Sequence, residues 1–261
     1  LLRSRKELGI IIAGSVSQTV TTGVKATVEA AQNMIGIVAS PTDADVSTAK
    51  TDVVNNRHTA GRIVHTYPYG TRYLGGASQT TPLHSELAAA LTRIAPHLDC
   101  AGGSNADKFS GVLGLSQTLA ESDYEELNAK GICAFEQDDI FGIKIRNGVN
   151  TSMDNAYNMI FRRRQTDRLT KVIANRLEFW LGKINSTKNR LTIKGEISNY
   201  LKQRQTQEEI EDFLVDVEAL NTATSLANGE LHIKLQIKLY SSLRYIILHA
   251  EVGERVAVSE V

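Results

Sequence analysis

Met34-Ile35-Gly36-Ile37-Val38-Ala39 is an uninterrupted apolar run stopped by Ser40-Pro41, the pattern of a strand buried on both faces. Upstream, Leu8 to Gly14 forms a similar run, and Val24, Val28 and Ala31 lie between the two at helical spacing. Downstream, Ala44 to Asn56 can make another helix and Arg62 to Tyr67 another strand. Strands alternating with helices in this order are βαβ units, so a largely parallel sheet is expected. The stretch from Ile37 to Val64 is long enough for one right-handed crossover.

Further along, Gly70, Gly75 and Gly76 bracket a segment rich in Thr, Ser and Tyr that reads as a loop. A helix follows, with Thr81 as N-cap and Pro82 at the first helical position. Its apolar stripe is Leu83, Leu87, Leu91, Ile94 and Leu98. The Gly-rich stretch Gly102 to Gly114 leads to a charged helix, Glu121 to Lys130, closed by Gly131. A strand, Ile132 to Glu136, then pairs as a hairpin with Phe141 to Ile145.

The last third changes character. Asp167 to Leu181 reads as a helix stopped by Gly182, and Leu191 to Leu201 as another. Glu209 to Leu220 fits a helix through Ile210, Phe213, Leu214 and Val217, or a strand through Phe213, Val215 and Val217. Leu231 to Tyr240 alternates strictly, so Leu231, Ile233 and Leu235 share one face of a half-buried strand. Tyr245 to Val252, with Ile246 and Leu248, alternates likewise after Ser241-Ser242, and Val256 and Val258 allow a short terminal strand. The expected class is α/β, with α+β character in the C-terminal lobe. It has a mixed, partly parallel sheet flanked by helices and a terminal antiparallel strand region. Residues 1–150 would form the α/β core domain and 151–261 a lobe packed against it.

Lys and Arg total 29 and Asp and Glu total 29 in 261 residues, so no long-range field draws the molecule to nucleic acid. Arg162, Arg163 and Arg164 with Arg168 are the nearest basic cluster, smaller than a duplex-binding face. Two cysteines, Cys100 and Cys133, make no disulfide framework and fit a reducing compartment. No apolar run is long enough for a membrane span. His97, Asp99 and Cys100 are close in sequence but lack the further ligands of a zinc site. Ser104, Ser110 and Ser116 lack a nucleophile-elbow frame, and no phosphate-cradle motif is present. The reading is a non-enzymatic protein without cofactor or metal.

The order of segments resembles the core and C-terminal region of contractile phage tail sheath proteins. The carrying motifs are Ile35-Gly36-Ile37-Val38-Ala39-Ser40-Pro41, Tyr67-Pro68-Tyr69, the helix from Thr81-Pro82 to Ile94, Ser104-Asn105-Ala106 and Gly111-Val112. They continue with Leu127-Asn128-Ala129-Lys130-Gly131-Ile132, Arg163-Arg164 and Asn228-Gly229-Glu230-Leu231. An aromatic near Asp99-Cys100 and a tryptophan near Phe141-Gly142-Ile143, usual in that family, are absent.

The resemblance implies a subunit that polymerises helically around a tail tube and contracts to drive it through a host envelope. The partners would be copies of itself, the tube protein, and baseplate and tail terminator proteins, with no membrane insertion. It would be assembled in the host cytoplasm and reside in the virion. A sheath of a related secretion apparatus or bacteriocin shares the pattern; an α/β hydrolase or nucleotide-binding protein is the alternative from fold class alone. Terminal arms would add strands to neighbours. Candidate interface residues are Arg162, Arg163, Arg164, Leu231, Ile233, Leu235, Ile246 and Leu248. Because the chain opens on Leu1 and not Met, it is read as part of a longer protein.

Overall fold

The computed structural model describes residues 9–31, 33–40, 45–101, 109, 111–139 and 142–242. Strand β1 (Gly9–Ile12), helix α1 (Gln18–Ala31), β2 (Met34–Ala39), α2 (Val46–Asn55) and β3 (Ile63–Tyr67) follow the expected alternation. The start of α2 is fixed by Asp45, whose carboxylate accepts from the Thr48 N–H at 2.7 Å. α1 turns Val24 and Val28 inward, where they pack with Ile63 and Val38.

The Gly70–Gly76 segment is not a loop. It is a hairpin of β4 (Gly70–Leu74) and β5 (Ala77–Thr81), with Gly75 and Gly76 at φ 59° and 86° as its two-residue turn. Positive φ at both turn positions matches the right-handed twist of the flanking strands, which two adjacent glycines allow without strain.

Thr81 therefore ends a strand and does not cap a helix; α3 (His84–Arg93) begins later, without a side-chain cap. It also ends earlier than its apolar stripe suggests. Ile94 is already extended at ψ 134° ahead of Pro96, and Leu98 lies beyond the helix.

A two-residue strand β6 (Gly114–Leu115) joins β4 on its other side. Helix α4 (Glu121–Lys130) ends at Gly131 in the left-handed conformation and passes directly into β7 (Ile132–Asp138), which pairs with β8 (Gly142–Ile145). The main sheet has the order β1-β2-β3-β7-β8; its first four strands are parallel and β8 is antiparallel. α3 covers one face of this sheet through Leu83, Leu87 and Leu91, which meet Ile35, Ile37, Val64 and Phe135.

Beyond Val149, helix α5 (Ile160–Leu177) starts at Ile160, well before Asp167. After Ile160 and Phe161 its inward positions carry Arg163, Gln165 and Asp167, which hid the apolar period. Glu178–Trp180 is a 3-10 turn, and α6 (Thr187–Thr206) is capped by the Ser186 hydroxyl, which accepts from the Asn189 N–H at 3.2 Å. The ambiguous segment is strand β9 (Asp212–Asp216). After the short helix α7 (Ala223–Ala227), β10 (Lys234–Lys238) pairs antiparallel with β9, setting Leu235 opposite Val215 and Ile237 opposite Phe213. That pairing decides for the strand, because it lays both alternating apolar faces on α5 and α6.

A second core results, built from Leu169, Ile173, Ile193, Ile197, Leu201 and Val215. α5 is rooted in both cores: Ile160 sits in the first, and Leu169 and Ile173 in the second.

Candidate subunit interface and the junction behind it

Three consecutive arginines on a helix point in directions about 100° apart, so Arg162, Arg163 and Arg164 cannot serve one surface together. Arg162 is partly exposed; it donates to the Asn155 carbonyl and, at 3.3 Å, to the Ser241 hydroxyl just past β10. Arg163 is buried, ion-paired with Asp167 one turn on, and its guanidinium lies 5.3 Å from the Tyr157 ring. Arg164 reaches the other way and donates to the carbonyls of Leu91 and Ile94, the latter at 2.9 Å. It thereby satisfies open carbonyls at the end of α3.

The junction centres on Asp167. Arg62, from the entry to β3, grips both its oxygens at 2.7 and 2.8 Å, the bidentate fork that suits guanidinium and carboxylate. All three side chains are buried, with Arg62 7%, Arg163 8% and Asp167 8% exposed.

A second carboxylate, Glu209, accepts from Arg168 at 3.2 Å, Arg204 at 3.1 Å and Gln165 at 3.2 Å, tying α5 to the end of α6. Sequence reading found neither carboxylate. The i, i+4 spacing of Arg163 and Asp167 was visible, but Arg62 and Glu209 are brought in only by the fold.

Leu231, Ile233 and Leu235 are half-buried against the second core, while Lys234, Gln236 and Lys238 face outward. On that outer face Lys234 stands opposite Asp216 and Lys238 opposite Asp212. Ile246 and Leu248 lie outside the described residues, as do the expected strands of 245–252 and 256–258. Among the described residues β10 pairs with β9 alone. Two large apolar side chains at the far end of α5, Phe179 and Ile184, are 71% and 81% exposed.

One constellation has the outline of a hydrolytic triad. Ser40 Oγ lies 2.6 Å from His65 Nε2, and the Asn56 side-chain amide lies 3.3 Å from Nδ1. In the tautomer protonated on Nε2, which an Asn56 NH2 beside Nδ1 favours, His65 donates to Ser40 and is not its base. Ser40 and His65 are also fully buried, and burial pushes the His65 pKa down to about 4.

Cys100 and Cys133 are buried free thiols whose pKa values burial raises. Asp99 accepts from the Ala101 N–H at 3.1 Å. Among the described residues no three His, Cys, Asp or Glu side chains gather as for a metal ion, and no helix is long and apolar enough to cross a membrane.

Residues 152–253 match the family described as phage tail sheath C-terminal domain. No curated protein sequence matches the chain. Among solved structures, a chain of the contracted-state baseplate of the anti-feeding prophage superposes with TM-score 0.79 at 18% identity, covering 95% of this chain and 73% of that one. A chain of the contracted sheath complex of PVC, an extracellular contractile injection system, gives 0.77 at 14% identity over 95% and 72%. A chain of the 6-fold symmetrised anti-feeding prophage baseplate gives 0.74 at 17% identity over 90% of this chain, which spans only 64% of that relative's length. Residues 152–253 thus belong to the phage tail sheath C-terminal domain family, and the chain that carries them has the fold of contractile sheath proteins.

Proposed function

We propose that this chain is the core and C-terminal part of a sheath subunit that polymerises helically around a tube, in a phage tail or a related contractile injection machine. The observation that carries this reading is the coincidence of a sheath-family C-terminal domain with a sheath fold over nearly the whole chain. The second edge of β10, unpaired among the described residues, supports it. An edge strand with one free row of backbone groups is an aggregation hazard unless a neighbour covers it, and a strand donated by an adjacent subunit does so while linking the lattice.

Each added backbone hydrogen bond contributes about 0.5–1.5 kcal/mol net, so a few per subunit make a cohesive array. Arg162, partly exposed beside Ser241 at the end of this strand region, would make contacts to a neighbour or to the tube. Leu231, Ile233 and Leu235 would hold β10 on its lobe while its outer edge is shared. The tube protein, baseplate and terminator are the further partners, with assembly in the host cytoplasm and residence in the finished particle. The role is mechanical, and the sealed Ser40–His65 pair speaks against the hydrolase alternative.

Electron microscopy of the purified full-length protein tests the reading. Hollow helical tubes or sheath-like polymers are expected. Only dispersed particles at every concentration and salt condition, with or without tube protein, would refute it.

A further inference from the structure

The chain carries the dipeptide Asn-Gly twice, at Asn147-Gly148 and at Asn228-Gly229, and the fold treats the two in opposite ways. Asn147 is held at both ends of its amide. Its Oδ1 accepts from the Ala134 N–H at 2.6 Å, while its Nδ2 donates to the Ile132 carbonyl at 3.1 Å and to Asn128 Oδ1 at 3.3 Å. Gly148 is buried beside it. Asn228 closes the five-residue helix α7, and both it and Gly229 are exposed. The Asn228 side chain makes no hydrogen bond among the described residues.

Asparagine is a thermolabile residue, and a following glycine exposes it most, because no Cβ there shields the backbone nitrogen from the asparagine Cγ. Local structure decides whether the two atoms can meet. At Asn147 three side-chain hydrogen bonds within the packed junction of α4, β7 and β8 would have to break first. At Asn228 the obstacle is two cap bonds, from the Gly229 N–H to the Leu226 carbonyl at 3.1 Å and from the Glu230 N–H to the Ser225 carbonyl at 2.9 Å. A surface helix of five residues opens its last turn at little cost.

We propose that Asn228 is a self-modification site that deamidates in the folded protein. The Gly229 nitrogen, having given its proton to hydroxide, attacks Asn228 Cγ; the new C–N bond closes a succinimide ring, and the Cγ–Nδ2 bond breaks as the leaving amide takes a proton from water and departs as ammonia. Water then opens the ring at either carbonyl, leaving aspartate or isoaspartate. The net reaction consumes one water and involves no oxidation. Either product puts a negative charge beside Glu230. The isoaspartyl form also routes the main chain through the former side chain, lengthening the connection to Leu231 and Ile233, which pack against the second core. The proposal concerns the folded chain and stands apart from the sheath reading.

For the test, the purified protein is kept in mildly alkaline buffer and sampled over weeks. Samples are digested under mildly acidic conditions, and mass spectrometry with chromatographic separation of the aspartyl and isoaspartyl forms follows the peptides that contain Asn147 and Asn228. In the folded protein Asn228 should convert at least about tenfold faster than Asn147, the protection at Asn147 coming from its costlier local opening. In guanidinium chloride, where neither site keeps its hydrogen bonds, the two rates should converge. Because the formal charge of the chain is zero, loss of one amide also shows in isoelectric focusing as an acidic band that grows with time. Asn228→Gln keeps the amide but must close a less favoured six-membered ring, so most of that band should disappear. Conversion at Asn228 no faster than at Asn147 in the folded protein, or an acidic band that grows equally fast in Asn228→Gln, overturns the proposal.

Discussion

Asp167→Ala is expected to destabilise the protein strongly and, more tellingly, to uncouple its two cores. In the folded chain the Asp167 carboxylate receives two hydrogen bonds from Arg62 at 2.7 and 2.8 Å and an ion pair from Arg163, all three residues being at most 8% exposed. Removing one partner of a buried ion pair costs about 3–5 kcal/mol, because the abandoned charge stays desolvated. Arg62 would keep the Met34 carbonyl at 3.3 Å and Arg163 the Tyr157 ring, so the low end of that range is expected. With a urea dependence of about 2 kcal/mol/M, a loss of about 3 kcal/mol lowers the unfolding midpoint by about 1.5 M.

Trp180 is the sole tryptophan and packs against the second core, so its fluorescence reports that core while far-ultraviolet circular dichroism reports both. In the wild type the two transitions should coincide; in Asp167→Ala the fluorescence transition should separate from the dichroism transition. The triple variant Arg62→Met, Arg163→Met and Asp167→Leu, which removes the carboxylate and both guanidiniums that it pairs, should recover most of the loss. A midpoint shift below about 0.5 M, equivalent to about 1 kcal/mol, with coincident probes would refute the assignment of Asp167 as the tie between the cores.

Four further outcomes are expected. His65 stays neutral when folded because burial lowers its pKa to about 4 from 6.5. Its contribution is therefore complete above pH 6.5, declines as pH falls through that value, and levels off below about 4. Between pH 6.5 and 5 the loss should be about 2 kcal/mol, seen in urea titrations at each pH and absent in His65→Gln. Gly76→Ala puts a side chain at φ 86° in the hairpin turn and should cost about 1–2 kcal/mol by thermal denaturation. Arg163→Glu places a second carboxylate against Asp167 inside the junction and should lower stability by more than about 3 kcal/mol in the same urea titration. Arg162→Glu, at a part-exposed position, should leave the melting temperature within a degree or two of wild type, judged against the usual small cost of surface changes, while impairing sheath polymerisation in sedimentation assays.

The parallel sheet was legible because its strands include continuous apolar runs separated by helical spacing, as at Gly9–Ile12 and Met34–Ala39. Two kinds of element escaped. The β4–β5 hairpin is built from Thr, Ser, Gln and Tyr with little apolar alternation, since β5 is exposed along most of its length; the surviving signal was the adjacent Gly75-Gly76 pair. The start of α5 was missed for the opposite reason, because past Ile160 and Phe161 its inward positions hold charged and amide side chains, some of whose partners, Arg62 and Glu209, come from distant segments. Periodicity reads water avoidance, and a buried salt bridge satisfies its charges without leaving that signature. The arginine cluster was found by composition, but the burial of Arg163 and the divergence of the part-buried Arg162 and Arg164 required the helix to be seen in place.

The eighteen residues of α5 span about 27 Å at the usual rise per residue, with one end seated in each core and clamps at Asp167 and Glu209 between. Such a rod transmits load without a hinge. A pull applied at the second core would reach the parallel sheet through a continuous column of hydrogen bonds, so the two cores would move as one stiff piece.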